Sequence, residues 1–361
     1  MTVLDRVAAA RAFRSVHTPP ELVGMYVSSA QLSGASGGER PETRLYEALT
    51  ADTPQRVHVI GESGAGKTGM ILKVVGDLSV RELERPYETL IVNVGANPEQ
   101  LHSGMEFLRA IVQQIARQGH RFASVDPGDL AAAAADQRTR TGTAVEHRAG
   151  VGAVVNYQVT IKEVVEAGTT SDNAAQARQD FEDVLKEVSK GYRPLIVIDD
   201  TEHFVSGVDG KLDVETVTNL YDHAIRALAG FAVDVIVAMH PHYQQVAAVT
   251  DVIERFGFLS IPVAALPAPA SDTSALEAIL QRRIDRHAIG ARVGDVVSAQ
   301  ALAQLSALYF TSAHNLRTVL NVADEAAVVA AAAGATTIGP QHVQPILDSM
   351  AGTGAGGAPA A

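Results

Sequence analysis

The sequence predicts an α/β fold in which a parallel sheet lies between two layers of helices, followed by a small all-α domain. Three observations carry this. A β-branched run, Arg56 to Ile60, passes through the glycine-rich stretch Gly61 to Gly66 directly into a helical pattern. A second run, Leu195-Ile196-Val197-Ile198, is apolar throughout, as in a strand covered on both faces, and ends in Asp199-Asp200. Beyond Pro267 only helical patterns remain. At 361 residues the chain has room for one large domain and a smaller one.

Residues 1–55 hold short helical patterns at Leu4 to Phe13 and Glu42 to Leu49, separated by Pro19-Pro20 and the loop Ser33 to Gly38, and read as a lead-in. The main domain spans 56–267. Its strand Arg56 to Ile60, helix Lys67 to Leu78 and buried strand Thr89 to Val94 form a βαβ unit. Asn97 is placed to cap a helix with Pro98 at its first position, and Leu101, Met105, Leu108, Val112 and Ile115 give that helix one apolar face. Residues 119–173 read as an insertion. They carry an alanine run, Ala131 to Ala135, then Gly150-Val151-Gly152, then Val155, Tyr157, Val159 and Ile161 alternating with polar residues. That alternation predicts a half-exposed strand, with Thr143 to Arg148 as a candidate hairpin partner.

A helix near Ala174 to Lys190 precedes the Leu195 strand, and another from Asp213 to Leu228 stops at Gly230. The strand Val233 to Met239 ends in His240-Pro241-His242, and Phe258 to Val263 is the last strand. The all-α domain, 268–350, comprises Ser274 to His287, Ala299 to Phe310 capped by Ser298, His314 to Ala333, and Pro340 to Met350. The tail 351–361 is alanine, glycine and proline with a single threonine; with almost nothing to bury, it is expected to be disordered.

Composition narrows the chemistry. Hydrophobic residues make up 47% and charged ones 19%, the balance of an ordinary globular protein. The absence of cysteine excludes disulfides, thiolate zinc sites, iron–sulfur clusters and a cysteine nucleophile, which leaves oxygen and nitrogen ligands. No apolar run reaches membrane-spanning length, and Arg11 interrupts the run Val7 to Ala10, so no membrane contact and a cytoplasmic location are expected. A net charge of −12 opposes general attraction to nucleic acid, so any such contact must be local. Arg138, Arg140, His147 and Arg148 give the insertion a local patch, compatible with nucleic acid or with a protein edge.

Gly61-Glu62-Ser63-Gly64-Ala65-Gly66-Lys67-Thr68 fits G-x-x-x-x-G-K-[ST], after a strand and before a helix, the context that makes this pattern a P-loop. The glycines let backbone N–H groups turn inward onto phosphate oxygens at a helix N-terminus. Lys67 is placed to neutralise the β and γ phosphates and the Thr68 hydroxyl to ligate Mg²⁺. With no guanine-reading N-K-x-D stretch, ATP is the expected nucleotide. Asp199, closing an apolar strand, suits a metal-holding carboxylate acting through water. Asp200 is the candidate base for the attacking water, with Glu202 as a second candidate. His240 closes the next strand and would emerge on the same sheet edge, to contact the γ-phosphate or position water. His242 is a weaker copy, and no Glu or third His stands at the helical spacing a metal site would need.

Together with Asn315-Leu316-Arg317 in the trailing helices, these features resemble the AAA+ ATPases from Val57 to Met350. They look most like the initiator or origin-recognition-type branch and its bacterial relatives, including the ATPases that regulate transposition. The resemblance implies a sensor-1 role for His240 and a sensor-2 role for Arg317, reaching the γ-phosphate from a helical lid. It implies that Arg255, in Ile253-Glu254-Arg255-Phe256, is an arginine finger supplied to a neighbouring subunit. It therefore implies a homo-oligomer that hydrolyses ATP to ADP at subunit boundaries and acts as a nucleotide-dependent switch on a protein partner. Asp199-Asp200 stands where most of the family has Asp-Glu, as in the signal-transducing STAND branch, which implies slow turnover. The winged-helix DNA-binding domain of the origin-recognition proteins is not expected after Met350. The competing readings are a DNA-associated regulator forming rings or filaments on nucleic acid, a small-molecule kinase, and an ATP-binding scaffold without turnover.

Overall fold

The structure, a computed structural model, describes residues 2–14, 19–33, 40–80, 86–96, 98–117, 174–199, 201–206, 211–266, 271–287, 289–312 and 314–354. Its strands are β1 (Arg56–Ile60), β2 (Tyr87–Asn93), β3 (Arg193–Asp199), β4 (Val205–Ser206), β5 (Lys211–Leu212), β6 (Asp234–Met239) and β7 (Leu259–Pro262). Five of them form a parallel sheet in the order β2-β3-β6-β1-β7, while β4 and β5 pair as a small antiparallel hairpin.

Alternate strand residues point to opposite faces, and both faces are covered. Val57, Val59, Leu195, Val197, Ile236 and Ala238 pack against the helices Pro41–Thr50 and Lys67–Val80. Ile196, Ile198, Val235, Val237 and Met239 pack against Gly104–Arg117, Ala174–Val188 and the helices on either side of β6. Every residue of the central strand β6 is buried, which accounts for its unbroken apolar run after Asp234. The register sets Ile60 opposite Met239 and Ile198 opposite Val237, so β1, β3 and β6 end together at one edge.

The opposite edge is closed by Asp234, which is 1% exposed. It accepts from Arg193 Nε at 2.6 Å and Nη2 at 3.1 Å, and from the Gln55 amide at 2.6 Å. Arg193 also donates to the Ala51 carbonyl at 2.7 Å and lies over the Tyr87 ring. One carboxylate thus ties β3, β6 and the entry to β1. Asp234→Ala leaves Arg193 without its counter-ion, and an expected loss of about 3 kcal/mol or more follows, measurable by denaturant unfolding.

A separate core is built by Ser274–Arg286, Val293–Val296, Ala299–Thr311, Leu316–Ala332 and Pro340–Gly354, through Leu280, Ile284, Leu305, Val319 and Ala326. Ser298 and Asn315 cap two of these helices through their side chains. Among the described residues no helix is long and apolar enough to cross a membrane.

The structure differs from the sequence reading in five places. Residues 1–55 do not merely lead in: Leu4, Val7 and Phe13 are buried in the helical core beside Val319, while Leu45 and Leu49 join the core under the sheet. Two short helices, Pro19–Met25 and Ser29–Ser33, occupy the stretch read as a separator. The helix placed at Pro98 is instead a 3₁₀ turn, Pro98–His102, and the α-helix starts at Gly104, where the Ser103 hydroxyl accepts from the Glu106 amide. The helix after Asp213 is Val214–Asn219 and Arg226–Ala229 joined by a π-helical turn, Leu220–Ile225, which buries Leu220, Tyr221, Ala224 and Ile225 together. The last helix continues to Gly354 rather than stopping at Met350. Asn97, the insertion 119–173 with its predicted strand, and the tail from 355 lie outside the described residues.

Candidate nucleotide site

The P-loop leaves β1 with two of its glycines in the left-handed region, Gly64 at φ +77° and Gly66 at φ +88°, where a side chain is strained. The Gly61 amide donates to the Met239 carbonyl at 3.1 Å, and the Ile60 carbonyl accepts from the Val263 amide at 2.7 Å, so the loop is slung between β6 and β7. Lys67 opens the following helix and is 4% exposed. Its ammonium donates to the carbonyls of Gly61 and Glu62, both at 2.9 Å. Burial pushes the Lys67 pKa down, against the opposing pull of Glu202, Asp199 and Glu62. A buried cation at a helix N-terminus inside a glycine turn is a site for phosphate.

Thr68 Oγ1 donates to Asp199 Oδ2 at 2.8 Å and lies 3.1 Å from Oδ1. Asp199 is the last residue of β3 and is 8% exposed. A hydroxyl and a carboxylate are hard oxygen donors, and so few of them suit Mg²⁺, which completes its shell with water and phosphate oxygens. Among the described residues no group of three or more His, Cys, Asp or Glu is arranged to hold a metal.

His240 follows β6 on the same edge, with Nε2 2.8 Å from Glu62 Oε2. Its Nδ1 accepts from the His242 amide at 3.3 Å, which assigns the proton to Nε2. Burial lowers the His240 pKa and Glu62 opposes this, its carboxylate standing against the Nε2 side of the ring. The segment after β3 is fixed by Thr201, whose hydroxyl donates to the Ala238 carbonyl at 2.6 Å and whose carbonyl accepts from the Tyr243 hydroxyl.

The helical unit closes over this edge. Arg317, in the first turn of Leu316–Ala332, donates through Nη2 to Glu202 Oε1 at 2.6 Å, and Glu202 Oε2 is 3.9 Å from Lys67 Nζ. The backbone of that turn rests on the P-loop: a Cβ on Gly64 would come within 2.7 Å of the Arg317 amide nitrogen. Gly64→Ala therefore combines a strained φ with a backbone clash. We expect it to displace the helical unit and weaken nucleotide binding at least tenfold, measurable by calorimetric titration.

Lys67, Thr68, Asp199, Glu202, His240, Glu62 and Arg317 are thus brought together, with Ser63 and Ala65 completing the loop between them. Asp200 lies outside the described residues. Arg255 is not part of the cluster. It is exposed at the end of the helix Ala247–Phe256, beside the Phe256 ring, and leads into the amino end of β7, away from the edge that carries the P-loop. Two residues without a sequence signal complete the wall. The Tyr26 ring lies against the start of the P-loop helix, 3.3 Å from where a Cβ on Gly69 would stand. Its hydroxyl donates to Glu42 at 2.5 Å, and the same carboxylate accepts from the Ser29 amide and hydroxyl, each at 2.6 Å.

No family model and no curated protein matches the chain. Solved structures to which it is similar include the Aeropyrum pernix ORC1 protein in complex with DNA, at 13% identity and TM-score 0.49 over 93% of this chain and 71% of that one. Drosophila ORC bound to DNA is 15% identical with TM-score 0.47, over 95% of this chain and 65% of that one. The Aeropyrum pernix ORC2 protein in ADPNP-ADP complexes is 14% identical with TM-score 0.48, over 93% of this chain and 70% of that one. At these identities and scores, the functional reading rests on the side chains of this chain.

Proposed function

We propose that this chain is an ATP-hydrolysing switch of the AAA+ type that assembles in its ATP-bound form. The observation that carries the reading is convergence: Lys67 from the P-loop and Arg317 from the helical unit meet at one carboxylate, beside the Thr68–Asp199 pair. The P-loop amides and Lys67 would hold the β and γ phosphates, and Thr68 and Asp199 would hold Mg²⁺, which supplies neutralising charge. His240 would offer its Nε2–H to a phosphate oxygen or the attacking water in exchange for Glu62. Asp200 is our preferred base for that water, with Glu202 second. Arg317 adds charge from the lid, and Arg255, remote from its own P-loop, is assigned to a neighbouring subunit's site.

A switch differs from a scaffold in that its assembly follows the nucleotide. Sedimentation velocity should show larger species with Mg²⁺ and a non-hydrolysable ATP analogue than with ADP; identical profiles would defeat the switch. Nucleic acid as the partner would rest on Arg138, Arg140, His147 and Arg148, outside the described residues. ATP-dependent retention on DNA that weakens with salt would identify it.

A further inference from the structure

The two cations aimed at the phosphate site converge on one carboxylate, and Arg317 works against the charge on Lys67. What holds them together is Glu202, which is 14% exposed and pairs with Arg317 at 2.6 Å while standing 3.9 Å from Lys67. The Glu202 backbone is itself pinned, because Thr201 before it is bonded to the Ala238 carbonyl and to Tyr243. The carboxylate therefore joins the sheet to the first turn of the helix Leu316–Ala332, across a separation of 115 residues. It stands between Lys67 and Arg317, and its charge has the same sign as a terminal phosphate.

We propose that Glu202 is an internal stand-in for the terminal phosphate: it latches the helical unit in the nucleotide-free protein and is displaced when ATP binds. This deepens the reading of the site given above and rests on it. The γ-phosphate exchanges places with the carboxylate, taking over Lys67 and Arg317 and freeing Glu202. ADP lacks the group that must occupy this position, so it leaves the latch closed. The chain thereby distinguishes ATP from ADP by an ion pair of its own as well as by contacts to the nucleotide.

The test is calorimetric titration of the full chain with Mg²⁺ and either a β,γ-imido analogue of ATP or ADP. Glu202→Gln keeps the side chain's shape and removes its charge. It should tighten the analogue about tenfold, the scale of a partly desolvated ion pair, and change ADP by less than about threefold. An unchanged ratio of the two affinities overturns the latch while leaving nucleotide binding intact. Hydrogen exchange over residues 316–320 without nucleotide gives an independent readout. It should quicken in both Glu202→Gln and Arg317→Ala, and unchanged exchange in both overturns the proposal. A wild-type chain that binds neither nucleotide defeats the functional reading instead, and the exchange result then decides the latch.

Discussion

Replacing Lys67 with alanine is expected to weaken ATP binding on the order of a hundredfold or more, with the fold retained. The side chain is 4% exposed, and its ammonium is bonded to the carbonyls of the loop that would wrap the phosphates. Removing a buried cation from an anion site costs about 3 kcal/mol or more, because the phosphate charge then has no counter-ion at that depth. Arg317 does not substitute for it, being 48% exposed and approaching from the lid side. Lys73, exposed and paired with Asp77 one turn on, is the control whose replacement should leave affinity unchanged. Titration calorimetry of the two variants against wild type checks both statements.

Arg255→Ala should act in the opposite manner, leaving ATP affinity unchanged and lowering turnover by about a thousandfold, the scale of an arginine supplied in trans. Arg255 lies exposed on the helix leading into the amino end of β7, the end of the sheet opposite its own P-loop. A mixing experiment isolates the mechanism. Lys67→Ala subunits bring an intact Arg255 but no working P-loop, and Arg255→Ala subunits the reverse, so the mixture should recover activity that neither shows alone. Full turnover by Arg255→Ala by itself would remove the shared site.

The strands and the P-loop were legible because their chemistry is local. A strand covered on both faces must be apolar at every position, which is what Leu195 to Ile198 shows, and a phosphate-cradling turn needs glycine at φ values such as those of Gly64 and Gly66. Asp199 was legible from its place at the end of such a strand. The pairs Glu62–His240 and Glu202–Arg317 were not, since each joins residues brought together only by the sheet order and by the docking of the helical unit. Tyr26 and Glu42 were missed for the same reason: their contact joins separate short segments that only the tertiary fold brings together. Pro19-Pro20 misled because proline stops a helix from within but starts one at its first turn, which is its position here. The π turn at Leu220–Ile225 has no sequence signature, because it is fixed by packing against the sheet.

The most direct test of a shared-site ATPase is phosphate release from ATP and Mg²⁺ by the wild-type chain, measured per subunit over a hundredfold range of protein concentration. Turnover per subunit that rises with concentration and then levels is the predicted result, because each active site is completed by a neighbour. Turnover that is constant across the range, or absent throughout, would contradict it.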